Sequence, residues 1–189
     1  MKKTIKALFD LLPAMLMWLM LSVFIWGWIF TFLTDAAPEN KIVLYIDAPV
    51  SATKELALAL EETGAEAIKL VKVHPFTHAM MDSAPLEQSD LYIVSASAVG
   101  TYADWFVPLP EALLDAGEVF TLEGTPMGLR IYDHASGTGA ASQHVAYTAE
   151  GKAEDYYLFF GRQSLHVDTN EGAADNLAID YARTLLTLP

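Results

Sequence analysis

Asp90-Leu91-Tyr92-Ile93-Val94-Ser95 is the stretch whose reading decides the fold. Four apolar residues in a row, two of them β-branched and one aromatic, fit a strand buried on both faces rather than one with a wet side. The run ends in the small residues Ser95-Ala96-Ser97-Ala98, which predict a tight loop at the carboxyl end of the strand. Upstream, Ile42-Val43-Leu44-Tyr45-Ile46 reads in the same way and ends at Asp47. Between the two runs, Lys54 to Thr63 predicts a helix with Leu56, Ala59, Leu60 and Thr63 on one face. Ser51 or Thr53 would cap it and Gly64 would close it. A second strand is expected over Ala67 to Val73, stopped by His74-Pro75, then a short helix over 77–88. Downstream, helices are expected from Val99 to Phe106 and from Glu111 to Ala116, the latter closed by Gly117. Strand and helix thus alternate three times. That alternation predicts an α/β fold: a three-layer, mostly parallel sheet with helices on both faces and right-handed crossovers.

After Gly117 the pattern changes. Val119 to Leu122 and Met127 to Tyr132 flank Glu123-Gly124-Thr125-Pro126, a turn composition. Residues 133–153 are rich in Gly, Ala, Ser and Thr and read as loop, with a helical turn near 140–145. Asp155 to Phe160 reads as a central strand, because Tyr156-Tyr157-Leu158-Phe159-Phe160 is apolar or aromatic on both faces. Ser164-Leu165-His166-Val167 would extend it as a hairpin after Gly161. A last helix, Ala173 to Leu188, sets Leu177, Tyr181, Leu185 and Leu188 along one face.

The amino-terminal stretch obeys a different physics. Leu11 to Leu33 has 23 residues and no charge. As a helix it is about 34 Å long, enough for a hydrocarbon core of roughly 30 Å. Such a segment must satisfy its backbone internally, which favours a helix. Pro13 is expected in its first turn, and Trp18, Trp26 and Trp28 suit an interface or packing role. Lys2, Lys3 and Lys6 precede it; Asp35 and Glu39 follow. The positive-inside tendency then places residues 1–10 in the cytoplasm, 11–33 across the membrane, 34–40 as a short linker, and 41–189 as an extracytoplasmic domain. The apolar run exceeds the length of a signal-peptide core, and Thr34-Asp35-Ala36 is a poor cleavage pattern, so an uncleaved single-pass anchor is expected.

Charge divides unevenly. Residues 1–34 hold three lysines against Asp10, or +2, so the net −13 of the chain leaves −15 on the remainder. That surface disfavours nucleic acid and anionic headgroups as partners and suits solubility. With no cysteine the domain is held by its core alone, without disulfides.

Residues 41–132 resemble the first lobe of extracellular solute-binding proteins, the receptors of ABC importers. KIVLYID is similar to the opening strand, and DLYIVSAS to the strand whose loop meets the ligand cleft. FVPLPEALL and FTLEGTPMGLRIY are similar to the Pro-Leu stretch and to the hairpin before the crossover. The resemblance implies a single α/β lobe. Those receptors clamp ligand between two lobes, and only 57 residues follow Tyr132 here, too few for a second. A lone tethered lobe is expected to act by protein contacts, as accessory to a membrane partner such as an importer permease or envelope complex.

The alternative is a solute bound at the carboxyl edge of the strands, where open α/β sheets take ligands. Its residues would be Asp47, His74, Ser95, Ser97 and Trp105. Ser95 and Ser97 suit helix capping or an anion. Trp105 and Phe106, beside Asp104, suit core packing or an aromatic platform. A third reading is a metal-dependent hydrolase. His74, His78 and Asp82, four apart, would share one face of a continuous helix, although Pro75 breaks that face. Asp133, His134 and His144, with Ser136 and Ser142, lack the strand-turn-helix setting of a nucleophile elbow. Gly137-Thr138-Gly139 lacks the Lys-Ser/Thr of a phosphate loop. No catalytic residue, metal or cofactor is therefore expected.

Overall fold

A computed structural model describes residues 2–75, 84–148, 151 and 153–189. Helix α1 (Lys2–Thr34) forms one unit with the residues up to Ala36, and Ala37–Pro189 forms a second. Within α1, the 24 residues Leu11–Thr34 are long and apolar enough to cross a membrane, and none of that stretch is buried. The helix begins well before Leu11, so Pro13 lies inside it rather than in its first turn. A proline there removes one backbone hydrogen bond.

The second unit is built on β1 (Lys41–Ile46), β2 (Leu70–Pro75) and β3 (Leu91–Ser95), with α2 (Thr53–Thr63) between the first two. β1 pairs in parallel with both β2 and β3, as the alternation predicts. Short pieces follow: α3 (Ala84–Glu87) before β3, then α4 (Val99–Tyr102), β4 (Phe106–Val107), the hairpin β5 (Val119–Leu122) and β6 (Thr125–Asp133), and β7 (Thr138–Gly139). β8 (Tyr156–Gly161) and α5 (Leu177–Thr187) complete the unit. The sheet order is β2-β1-β3-β8-β6-β5, with β4 on β8 and β7 on β6.

The sheet is mixed. β8 enters between β3 and β6 and is antiparallel to both, and β5, β4 and β7 pair antiparallel as well. Parallel pairing stops at β3 because no full crossover helix follows it. The stretch expected as one helix from Val99 to Phe106 is α4, a 3-10 turn over Ala103–Trp105 and then strand β4. The helix expected from Glu111 to Ala116 is a 3-10 turn at Glu111–Leu113. β8 is central and buried, as its aromatic run predicts.

Alternation along each strand feeds two core clusters. Ile42, Leu44, Ile46, Leu91, Ile93, Leu158 and Phe160 join Leu56 and Leu60 of α2 and Tyr181 and Leu185 of α5. Tyr45, Tyr92, Val94 and Phe159 join Leu86, Val99, Tyr102 and Phe106. The second cluster is unusually aromatic: the Phe106 and Phe159 rings stack with centroids 4.3 Å apart, and Tyr92 lies 5.3 Å from Phe106. Such contacts add to the burial of the rings themselves.

Boundaries shift in physically readable ways. β2 starts at Leu70 because residues 65–68 form a turn, Ile68 N donating to Ala65 O. His74 and Pro75 are the last residues of β2 rather than the stop just past it; an edge strand tolerates a proline with no N–H to offer. On the same edge the Val71 N–H is taken by Glu61 Oε1 at 3.0 Å, which closes part of an open strand flank. The expected caps Ser51 and Thr53 do not cap α2: its N-cap is Ala52, without a side-chain bond, and Ser51 Oγ donates to His144 O instead. The β5–β6 turn carries Glu123 at φ 51° and Gly124 at φ 83°, the left-handed pair that a two-residue hairpin needs. Ser164-Leu165-His166-Val167 is not a hairpin strand but a chain of turns leading to α5. The predicted helical turn near 140–145 is present, with Val145 N donating to Ala141 O. The expected helix over 77–88 is described only as α3, and His78 and Asp82 lie outside the described residues.

Candidate functional site

Parallel β1 and β3 bring Asp47 and Ser95 together at their carboxyl ends. Asp47 N donates to Ile93 O at 2.7 Å, which fixes the residue just past β1 against the last residues of β3. Ser95 Oγ then donates to Asp47 Oδ2 at 2.8 Å. Both side chains are buried, Asp47 at 6% exposure. A buried carboxylate has to be offset by hydrogen bonds or charge, and the serine hydroxyl supplies one such bond. Ser95 therefore caps no helix; its hydroxyl is committed across the sheet edge.

Beside this pair lies Tyr45, 1% exposed, whose hydroxyl has no partner at hydrogen-bonding geometry. Burial pushes the Tyr45 phenol up, and the neighbouring Tyr102 and Asp47 push it further, so it stays protonated. Burial raises Tyr102 as well, against the pull of the Tyr45 hydroxyl, and Asp47 adds to the rise. Tyr45 and Tyr102 stand with ring centroids 6.2 Å apart. The edge thus holds a carboxylate, a serine and two tyrosine hydroxyls in an apolar surround.

The other expected site residues fall differently. His74 sits across from Tyr45 in the β1–β2 register, half-buried, and burial followed by Lys72 and Lys41 lowers its pKa, which favours the neutral ring. No hydrogen bond joins it to Asp47 or Ser95 among the described residues. Trp105 is half-buried and packs its ring 5.0 Å from Tyr102 and 6.4 Å from Tyr92, which is the packing role. Ser97 is exposed, and its N–H, the one an anion would use, is taken by Glu154 Oε2 at 2.9 Å. Residues 96–98 form one 3-10 turn, too short for a helix dipole of consequence.

The second cluster of the sequence reading is held by its own loop. His134 N donates to Asp155 Oδ1 at 2.7 Å, and Ser142 Oγ donates to Gly139 O. Asp133 is held below the usual carboxylate range by the Ser136 hydroxyl. Arg130 reaches Glu118 at 2.6 Å, Asp155 at 3.6 Å and Asp133 at 3.9 Å. None of these contacts sets a serine against a histidine. Among the described residues no group of three acidic or imidazole side chains is placed to hold a metal.

Sequence reasoning missed a second buried polar network at the opposite, amino-terminal edge of β1 and β3. Asp90, 4% exposed, accepts from Val43 N at 2.7 Å and from Ser164 Oγ at 2.5 Å. Ser164 Oγ accepts in turn from His166 N at 3.0 Å, and the His166 ring, fully buried, lies 2.8 Å from Asp175. Burial pushes the Asp90 carboxyl above its ordinary range, against the pull of Ser164, Val43 and His166. Gly161 makes this possible: a Cβ there would collide with Ser89 O. The only signal in the sequence is polar Ser164 and His166 alternating with apolar Leu165 and Val167.

No family model matches the chain, and no match is found among curated proteins or solved structures.

Proposed function

We propose that this protein is a single-pass membrane protein whose acidic α/β domain is a single, three-layer lobe of the solute-binding-protein type, held on the extracytoplasmic side. It works through protein contacts rather than catalysis, as an accessory to a membrane partner such as an importer permease. One observation carries the reading: an exposed apolar helix ending at Thr34 is followed within a few residues by the first strand at Lys41. A tether that short confines the domain to the neighbourhood of the bilayer. A single sheet supports the lone-lobe reading, because β8 and α5 return to the strands already laid down and start no second core. The lysines before the helix support the orientation. Cross-linking of the full chain in intact membranes, followed by purification in mild detergent, tests it. A stoichiometric integral membrane partner is expected; a chain that runs as a free monomer contradicts the reading.

The Asp47–Ser95 pair beside the unpartnered Tyr45 hydroxyl favours a second reading, a small polar solute held at the carboxyl edge. Thermal shift of the full chain with amino acids, sugars and short peptides tests it. A ligand at a hundredfold excess over its Kd stabilises by about 2.7 kcal/mol. The shift should vanish in Ser95→Ala; no shift with any class contradicts this reading.

A further inference from the structure

The sheet ends in β2 on one side and β5 on the other, and the two ends are finished differently. On β2 the Val71 N–H is taken by Glu61 Oε1 and Pro75 has no N–H, so little of that flank is left to pair. β5 carries no such guard among the described residues. We propose, resting on the protein-contact reading above, that β5 is a docking edge that takes one more strand: an extended segment of the membrane partner, apolar within and bearing Lys or Arg at both ends.

Backbone alternation aims the polar groups outward. Arg130 N donates to Glu118 O, so in this antiparallel pair Glu118 and Phe120 turn toward β6, while Val119 and Thr121 turn their N–H and C=O away. The register shift between Phe120 and Thr121 puts the extra residue, Met127, on β6, so the alternation along β5 is unbroken. Thr121 lies across from Pro126, which has no N–H to return, and Pro126 O is already taken by Leu109 N. Among the described residues nothing bonds to the outward groups of Val119 and Thr121.

Side chains say what fits there. Phe120 and Leu122 lie half-buried on the aromatic face, with Phe120 4.8 Å from the Tyr157 ring and 5.7 Å from Phe159. An added strand covers their outer sides. Glu118 and Glu123 stand at the two ends of β5, both exposed. Arg130, the basic residue of the hairpin, is already shared among Glu118, Asp155 and Asp133, so the corner is acidic on balance. Basic side chains at the ends of the incoming strand meet the two glutamates as cross-strand pairs. A second copy of this chain is the wrong occupant. β5 against β5 opposes Glu118 to Glu123 when antiparallel and each glutamate to its own copy when parallel, and β2 of a second copy offers a flank already closed. Main-chain bonds supply the affinity and the bracketing charges supply the choice of partner.

Two measurements on the full-length chain test it. A photo-activated cross-linker at position 121, used in intact membranes and read by peptide mass spectrometry, should capture the co-purifying partner through a segment bracketed by Lys or Arg. The same label at position 73 on β2 should not. Separately, a probe peptide of about six residues, valine and threonine between terminal lysines, is titrated into the chain in detergent micelles. The Val119 and Thr121 amides should shift, less so as salt rises, and a glutamate-ended peptide should not bind. Thr121→Pro removes an outward N–H and no ladder bond, so it should abolish peptide binding and leave the fold intact. Glu118→Gln with Glu123→Gln should weaken binding roughly tenfold and flatten its salt dependence, which decides the matter if Thr121→Pro fails to fold. A partner that cross-links only elsewhere or through a segment without Lys or Arg, a second copy captured at position 121, or equal binding of the two peptides overturns the docking edge and leaves the partner reading standing. If no partner co-purifies, that reading falls and the peptide decides alone: shifts at Val119 and Thr121 uphold the edge, and none there overturns it.

Discussion

The two ends of β1 and β3 carry the same chemical pair in different company. At the carboxyl end a buried aspartate accepts a serine hydroxyl, Ser95 to Asp47 at 2.8 Å. At the amino end another does, Ser164 to Asp90 at 2.5 Å. The amino-end aspartate has a backbone N–H as well, and its serine is tied on through His166 to α5 and to the segment after α1. The carboxyl-end pair has a tyrosine hydroxyl beside it that finds no partner. A closed network reads as a structural tie; an open one leaves capacity for something else. The difference lies in satisfied hydrogen bonds and not in residue type.

The two aspartates should therefore respond unequally. Asp90→Ala leaves the Val43 N–H and the Ser164 hydroxyl, both buried, without their acceptor. It should cost about 3–5 kcal/mol in denaturant unfolding of the full chain. Asp47→Ala leaves one hydroxyl unpaired at the sheet edge and should cost about 1–2 kcal/mol. Equal losses, or a larger loss at Asp47, would break the comparison.

Asp90 also sets a sign for pH dependence. Its folded pKa is raised, so the neutral carboxyl is the form the fold prefers. That contribution is complete below the ordinary carboxylate range and is lost as pH climbs through the raised value. Asp90→Asn cannot ionise, so the stability of the variant should lose that slope, by up to about 1.4 kcal/mol per pH unit for one proton. Melting temperature across acidic to neutral pH, variant against wild type, reads it; parallel curves contradict it.

The smallest effect sharpens the carboxyl end. Tyr45→Phe removes a buried hydroxyl that meets no partner at hydrogen-bonding geometry and has the Tyr102 hydroxyl as its polar neighbour, and should leave stability unchanged or raise it by about 1 kcal/mol. A clear loss would mean the hydroxyl has a partner, and the contrast between the two edges would narrow.

Local pattern made much of this legible. β1, β3 and β8 are continuous apolar runs, and their burial on both faces follows from composition. The Asp47–Ser95 pair was also legible, because two parallel strands that each end in a polar residue bring those residues to one edge. The place of β8 was not: whether Tyr156–Gly161 pairs antiparallel with β3 depends on contacts some 60 residues away in sequence. Nor was the His166 network, whose partners Pro38, Lys41 and Asp175 come from both ends of the domain. Ser97 and Trp105 illustrate another limit. Their residue types suit a ligand, but Glu154 and the aromatic cluster already occupy them.

In the proposed function, Leu11–Thr34, long and apolar enough to cross a membrane, stays on the chain and holds it in the bilayer. Intact mass of the protein recovered from alkaline-washed membranes tests it most directly. A washed-membrane species that still contains residues 11–34 is expected. A species lacking them and released into the wash would contradict it.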